Sequence, residues 1–130
     1  MSKAYSRALS YLTARNRTVK ETTDYLRRKD FSASQIQEAI ARLLELDLLN
    51  DGRTASQWVD YCLRCKPRGR ARLRLDLLHR GIEKDIIDEV LGKVDDDCEF
   101  SLALEVLASR PVSEWSRAKL YRFLRYRGFT

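Results

Sequence analysis

A chain of 130 residues with 44% hydrophobic content has enough apolar matter for a packed core and is not an intrinsically disordered composition. Its 25 Lys and Arg against 19 Asp and Glu give a formal net charge of +6 and a pI near 9.4, which points to nucleic acid, or a protein wrapped on nucleic acid, as partner. No apolar run approaches the roughly 20 residues that span a bilayer, the start Met1-Ser2-Lys3-Ala4-Tyr5 lacks a signal peptide's apolar core, and three cysteines fit a reducing compartment, so a cytoplasmic protein is expected.

Taken in order, the chain reads as helices. Tyr5, Ala8, Leu9 and Leu12 follow the i, i+3, i+4, i+7 spacing of one buried stripe. Thr18 stands three residues before Glu21, a capping box that opens a second helix running to about Lys29. Ser32 and Gln35 repeat the signature and open a third, with Ile36, Ile40, Leu43 and Leu44 on one face. The pattern then restarts. Ala55, Trp58, Val59 and Cys62 repeat the first stripe, and Phe100, Ala103, Leu104 and Leu107 repeat it again. Leu26-Arg27-Arg28-Lys29-Asp30-Phe31 matches Leu77-Leu78-His79-Arg80-Gly81-Ile82 and Leu124-Arg125-Tyr126-Arg127-Gly128-Phe129, at offsets of 51 and 47 residues. Gly81 and Gly128 fall where a helix stops in the left-handed conformation, which Asp30 tolerates. Ile87, Val90, Leu91 and Val94 supply the third helix of the second copy, and the last copy has none. The expected fold is all-α, an elongated tandem array of three-helix units over 1–50, 51–95 and 96–130, the last incomplete.

Charge is concentrated in the middle copy. From Arg64 to Arg80, seven basic residues face Asp76 alone, a net +6 that equals the charge of the whole chain. At 100° per residue Leu73 and Leu77 face their own unit, while Leu75 and Leu78 are left over and are expected to pack on a neighbouring unit. The competing reading is a small apolar patch in a basic surface, covered by a partner protein. Arginine's planar fork suits phosphate and carboxylate alike, so the run does not by itself separate DNA from an acidic protein.

The string Leu48-Leu49-Asn50-Asp51-Gly52-Arg53-Thr54-Ala55, followed by Lys66-Pro67-Arg68-Gly69-Arg70-Ala71-Arg72-Leu73-Arg74 and Leu77-Leu78-His79-Arg80-Gly81-Ile82, resembles the RecX family of bacterial regulators of RecA recombinase. The resemblance covers nearly the whole chain and extends to Arg122-Phe123-Leu124-Arg125-Tyr126-Arg127-Gly128-Phe129. Thr54 stands where the family usually has an aromatic residue, Asp47 where it often has glycine, and the final helix is absent. The resemblance implies a modulator, mainly an inhibitor, that lies in the groove of the RecA–DNA filament and limits ATP hydrolysis, strand exchange and filament growth, within recombination, DNA repair and the SOS response. RecA and its DNA filament are the expected partners, with weak binding to bare single- or double-stranded DNA. The residues expected to meet them are Lys66, Arg68, Arg70, Arg72, Arg74, Arg80, Arg122, Arg125 and Arg127. Changing Arg68, Arg70, Arg72 and Arg74 together to Gln is expected to weaken filament binding with little loss of fold.

Other chemistries read less well. Cys62 and Cys65 form a CxxC, with Cys98 and His79 as conceivable further zinc ligands, but Cys62 holds the repeat position of Leu12 and Leu107, a core position. No metal or cofactor is expected. Asp95-Asp96-Asp97 reads as a turn and helix cap, through Asp96 or Asp97. No phosphate-cradling glycine loop, nucleophile elbow or HExxH occurs, so the chain is not expected to be an enzyme. Two binding alternatives stand beside the filament regulator. One is a helix-turn-helix DNA-binding protein reading with Gln35 to Leu46, where Arg42 is the only positive residue. The other is a helical scaffold for an acidic protein. In the last unit Leu120, Phe123, Leu124 and Phe129 lack a covering helix, and Trp115, a second chain or further residues are the expected cover.

Overall fold

The computed structural model describes residues 2–129, and all its regular elements are helical. They are α1 (Lys3–Ala14), α2 (Val19–Arg28), α3 (Ala33–Glu45), α4 (Asp51–Cys65), α5 (Arg70–His79), α6 (Lys84–Leu91), α7 (Asp96–Leu107) and α8 (Arg117–Tyr126), with a 3-10 turn at Val112–Glu114 before α8. No helix among the described residues is long and apolar enough to cross a membrane. Both capping boxes form: Thr18 and Ser32 accept from the amides of Glu21 and Gln35, whose side chains accept from the cap amides in return. Asp95, one residue before the predicted pair, caps α7, its Oδ1 2.8 Å from the Cys98 amide.

In each of the first two units the third helix lies across the other two. The α3 stripe Ile36, Ile40 and Leu43 packs on Ala4, Tyr5, Ala8 and Leu26, and Ile87, Leu91 and Val94 close over Ala55, Val59, Leu73 and Leu77 in the same manner. Each large side chain so buried contributes roughly 1.5–3 kcal/mol. Leu44 does not join its predicted face but is exposed, one step past the edge of the stripe. The third unit is different: Leu102, Val106 and Phe129 form a small core with Phe123 and Leu124, and α7 and α8 meet only sparsely. Phe100 and Leu104, predicted to repeat the buried stripe, stand in solvent, because no helix lies across them. Of the residues predicted to lack a cover, Trp115 meets Phe123, its ring edge-on at 5.1 Å. The accessible surface, 8582 Å², is about a fifth larger than the roughly 7,100 Å² of a compact monomer of 15.2 kDa, as a row of small cores requires.

The units are joined by one repeated contact. The turn that ends the second helix of one unit sits on the amino terminus of the second helix of the unit before it. Gly69 caps α5 without a side chain; its amide donates to the Arg127 carbonyl (2.9 Å) and that of Ala71 to the Gly128 carbonyl (3.2 Å), so the end of α8 satisfies donors that a helix start leaves open. At the other joint the Thr18 hydroxyl donates to the Arg80 carbonyl (2.7 Å). A methyl group on Gly128 would lie 2.4 Å from the Arg72 backbone nitrogen, and one on Gly81 2.5 Å from Lys20 Cβ, with φ at +91° and +83°. Asp30 makes the same left-handed turn (φ 65°) in the first unit, where no earlier unit lies beneath it. The helices α8, α5 and α2 therefore follow one another tail to head along the row.

Candidate nucleic-acid and protein interface

The fold uses most of the central basic run. Asp76, the one acid within it, accepts from both Arg68 Nη1 (2.8 Å) and Trp58 Nε1 (3.3 Å), with Arg72 Nε 3.8 Å away. Arg70 ties α5 to α7 through Glu99 and Asp96, the latter at 2.6 Å, and also reaches the Val94 carbonyl at 3.4 Å. Arg74 pairs with Asp88 of α6 at 2.7 Å. Arg80 locks the first joint: its guanidinium donates to Glu21 (2.9 and 3.1 Å) and to the Asn16 carbonyl (3.2 Å). Burial pushes the Glu21 carboxyl up, but the Arg80 and Thr18 hydrogen bonds and the Arg80 charge outweigh it and hold the group below the usual carboxylate range. Replacing Arg68, Arg70, Arg72 and Arg74 together would remove five ion pairs to four carboxylates, so that substitution is expected to cost stability as well as surface charge.

Unpaired charge lies elsewhere along the row. Lys66, at the end of α4, is exposed without an ion pair to any described residue. From Trp115 to Thr130 there are five basic residues and no acidic one. Arg122 and Arg125 are exposed on α8, where Arg125 Nη1 donates to the Tyr121 hydroxyl (2.6 Å), and Arg127 lies over the Phe123 ring at 4.9 Å. Arg72 extends this surface by stacking over Tyr126 at 5.6 Å. Arg117, Lys119, Tyr121 and Tyr126 are also exposed on α8 and were not predicted. The signal for them was the acid-free charge of this segment, which the larger run in the middle copy overshadowed.

Between these basic stretches, α5 presents Ala71, Leu75 and Leu78 outward. Leu75 and Leu78 are 50% and 45% exposed, so they do not pack on a neighbouring unit as predicted. Units in this row touch end to end through the turns of their second helices, which leaves the outer face of α5 uncovered. The side chains of Arg72 and Arg74 flank that face. Arg42, the one cation of the helix predicted for groove reading, stands over the Tyr5 ring at 5.7 Å.

Two models of the RecX family match the chain, the first three-helix domain over residues 4–43 and the second over residues 50–91. The chain belongs to the RecX family. Regulatory protein RecX of Chlorobium phaeobacteroides (strain BS1) is 34% identical over 129 residues, covering 98% of this chain and 85% of the relative. Regulatory protein RecX of Chlorobaculum tepidum is 36% identical over 131 residues, covering 98% of this chain and 81% of that one. The crystal structure of RecX from Lactobacillus salivarius superposes with a TM-score of 0.88 at 31% identity, over 98% of this chain and 87% of that one.

Both local departures from the RecX pattern have physical accounts. Asp47 takes φ 56°, a backbone conformation that glycine fills without strain, and its carboxylate is held by Arg53 at 3.1 Å. Thr54 is buried and its hydroxyl donates to the Arg17 carbonyl (3.2 Å), so it serves the first joint. Cys62 lies in the second core, where burial pushes its thiol up to about 11, and Cys65, the last residue of α4, is exposed.

Proposed function

We propose that this chain modulates RecA, mainly as an inhibitor, by lying along the groove of the RecA–DNA filament and limiting ATP hydrolysis, strand exchange and filament growth. The observation that supports it best is the alternation along the row α8–α5–α2: unpaired arginines interleaved with tyrosines, then an apolar patch, then Lys20, Arg27 and Arg28 exposed on α2. A filament groove offers phosphates and protein surface side by side, and this sequence of surfaces is complementary to both. Arg122, Arg125, Arg127 and Lys66 supply phosphate contacts, Leu75 and Leu78 with Arg72 and Arg74 meet protein, and Arg68, Arg70 and Arg80 hold the row in shape. The Tyr121 and Tyr126 rings add stacking surfaces for unpaired bases. Binding to RecA-coated DNA is tighter than to bare DNA, because protein contacts add to phosphate ones.

The test is RecA ATP hydrolysis on single-stranded DNA with and without this protein. A concentration-dependent fall supports the reading. An unchanged rate, with binding to bare DNA equal to that for filaments and the same salt slope, replaces it with a general nucleic-acid binder.

A further inference from the structure

The joint between the first two units holds a pocket of about 530 Å³, lined by α4 and by the segment that follows α1. Trp58 and Tyr61, one turn apart on α4, form its aromatic wall, with ring centroids 5.6 Å apart and planes tilted by 34°. The Trp58 ring is held in place by the hydrogen bond that its Nε1 donates to Asp76 (3.3 Å), and Tyr61 is 39% exposed. In the first unit the counterpart of Trp58 is Ala8, so the packing of the repeat does not itself call for an indole at this position. Polar groups complete the pocket. Glu21, the one acid in its lining, is taken up by Arg80 and by the Thr18 amide. Arg15 is left exposed without an ion pair to any described residue, and the side-chain amides of Asn16 and Gln57 have no hydrogen-bond partner among the described residues. The surrounding charge has one sign, since from Lys3 to Lys20 there are five basic residues and no acidic one.

We propose that this pocket takes one unpaired base of a single-stranded nucleic acid, which stacks on Trp58 and Tyr61 while Asn16 and Gln57 meet its polar edge and Arg15 meets an adjoining phosphate. An aromatic wall accepts any base, because every base has a π face, and the cation beside it answers the charge of the strand. An apolar peptide segment would instead leave Arg15 and two amides without partners. The pocket shares no residue with the α8 surface and is tested without RecA, so its failure leaves the filament reading standing.

The chain has two tryptophans, so Trp115→Phe leaves Trp58 as the sole indole reporter. Titrating that protein with a thymidine tetranucleotide is expected to quench Trp58 fluorescence saturably, whereas an abasic strand with the same phosphates is expected to leave it unchanged. Adding Tyr61→Ala is expected to weaken the binding about fivefold or more, and Tyr61→Phe, which keeps the ring, to preserve it. Arg15→Gln is expected to make the salt dependence shallower. Tyr61 and Arg15 are both exposed, so circular dichroism is expected to show an unchanged fold in these variants. Absence of saturable quenching by about 1 mM, equal quenching by the abasic strand, or an equal midpoint in Tyr61→Ala overturns the proposal. Equal affinity for thymidine monophosphate overturns the assignment to a strand and gives the pocket to a free nucleotide. Loss of the quenching when Arg122, Arg125 and Arg127 are changed to Gln overturns it too, since the effect then belongs to the α8 surface.

Discussion

Gly128 and Asp30 close the same turn in different units, and what separates them is whether an earlier unit lies underneath. Gly128→Ala combines a left-handed residue with a methyl group driven into backbone, and is expected to destabilise by about 1–3 kcal/mol; Asp30→Gly, with no neighbour to admit, is expected to change stability by less than about 0.5 kcal/mol. Urea denaturation of the two variants checks this contrast. The glycines themselves were legible in the sequence, because turn chemistry is local. What they face was not, since Lys20 and Gly81 are separated by 61 positions and no periodicity reports a contact across that distance. Arg80 shows the same limit: it reads as one more cation of a basic run, but Glu21 and Asn16 use it. Glu21 is held below the usual carboxylate range, so its contribution is present at neutral pH and lost as pH falls through that range. Asp51, pushed up by burial, works in the opposite sense, so the wild-type pH curve mixes the two. Glu21→Gln isolates the first: a loss of about 1–2 kcal/mol at pH 7 that shrinks toward zero in acid, measured by thermal unfolding of both proteins across pH.

Among the elements, α5 departs furthest from its sequence reading. Its alternating arginines suggested a free basic helix, yet Arg68, Arg70 and Arg74 answer carboxylates on α5, α7 and α6, and the residues left outward are Leu75 and Leu78. Both capping boxes and the core leucines Leu26, Leu43, Leu73, Leu77 and Leu91 followed from spacing and cap chemistry, which act within a few residues, whereas Leu44 and the cap of α7 were each misplaced by a single position. The pairing of each arginine depends on which unit stacks where. Changing Leu75 and Leu78 together to Gln is expected to leave stability within about 0.5 kcal/mol of wild type, weaken binding to RecA filaments, and leave binding to bare single-stranded DNA unchanged. Equilibrium unfolding and fluorescence anisotropy with both ligands measure the three quantities. Arg70→Gln is expected to leave α1–α3 untouched and to speed amide exchange in α7, because Arg70 is the side chain that ties that helix to α5.

At the scale of the whole molecule, a row of small cores joined end to end is stable in proportion to the helices that lie across each unit. Among the described residues the first two units each have one and the third does not, so α8 is expected to exchange its amides faster than α2 or α5, which hydrogen exchange at two protein concentrations detects. The tandem repeat was legible as an array because each unit restates the same stripe. The exposure of Phe100 and Leu104 was not, because a stripe is apolar whether or not anything covers it. If the filament is held at the α8 end of the row, removing the unpaired arginines there loosens it. Fluorescence anisotropy of labelled RecA–single-stranded DNA filaments, titrated with wild type and with the Arg122→Gln, Arg125→Gln, Arg127→Gln triple variant, tests it most directly. The triple variant is expected to keep its helicity, bind filaments at least about tenfold more weakly and show a shallower salt slope. Wild-type affinity and an unchanged salt slope in the triple variant would contradict it.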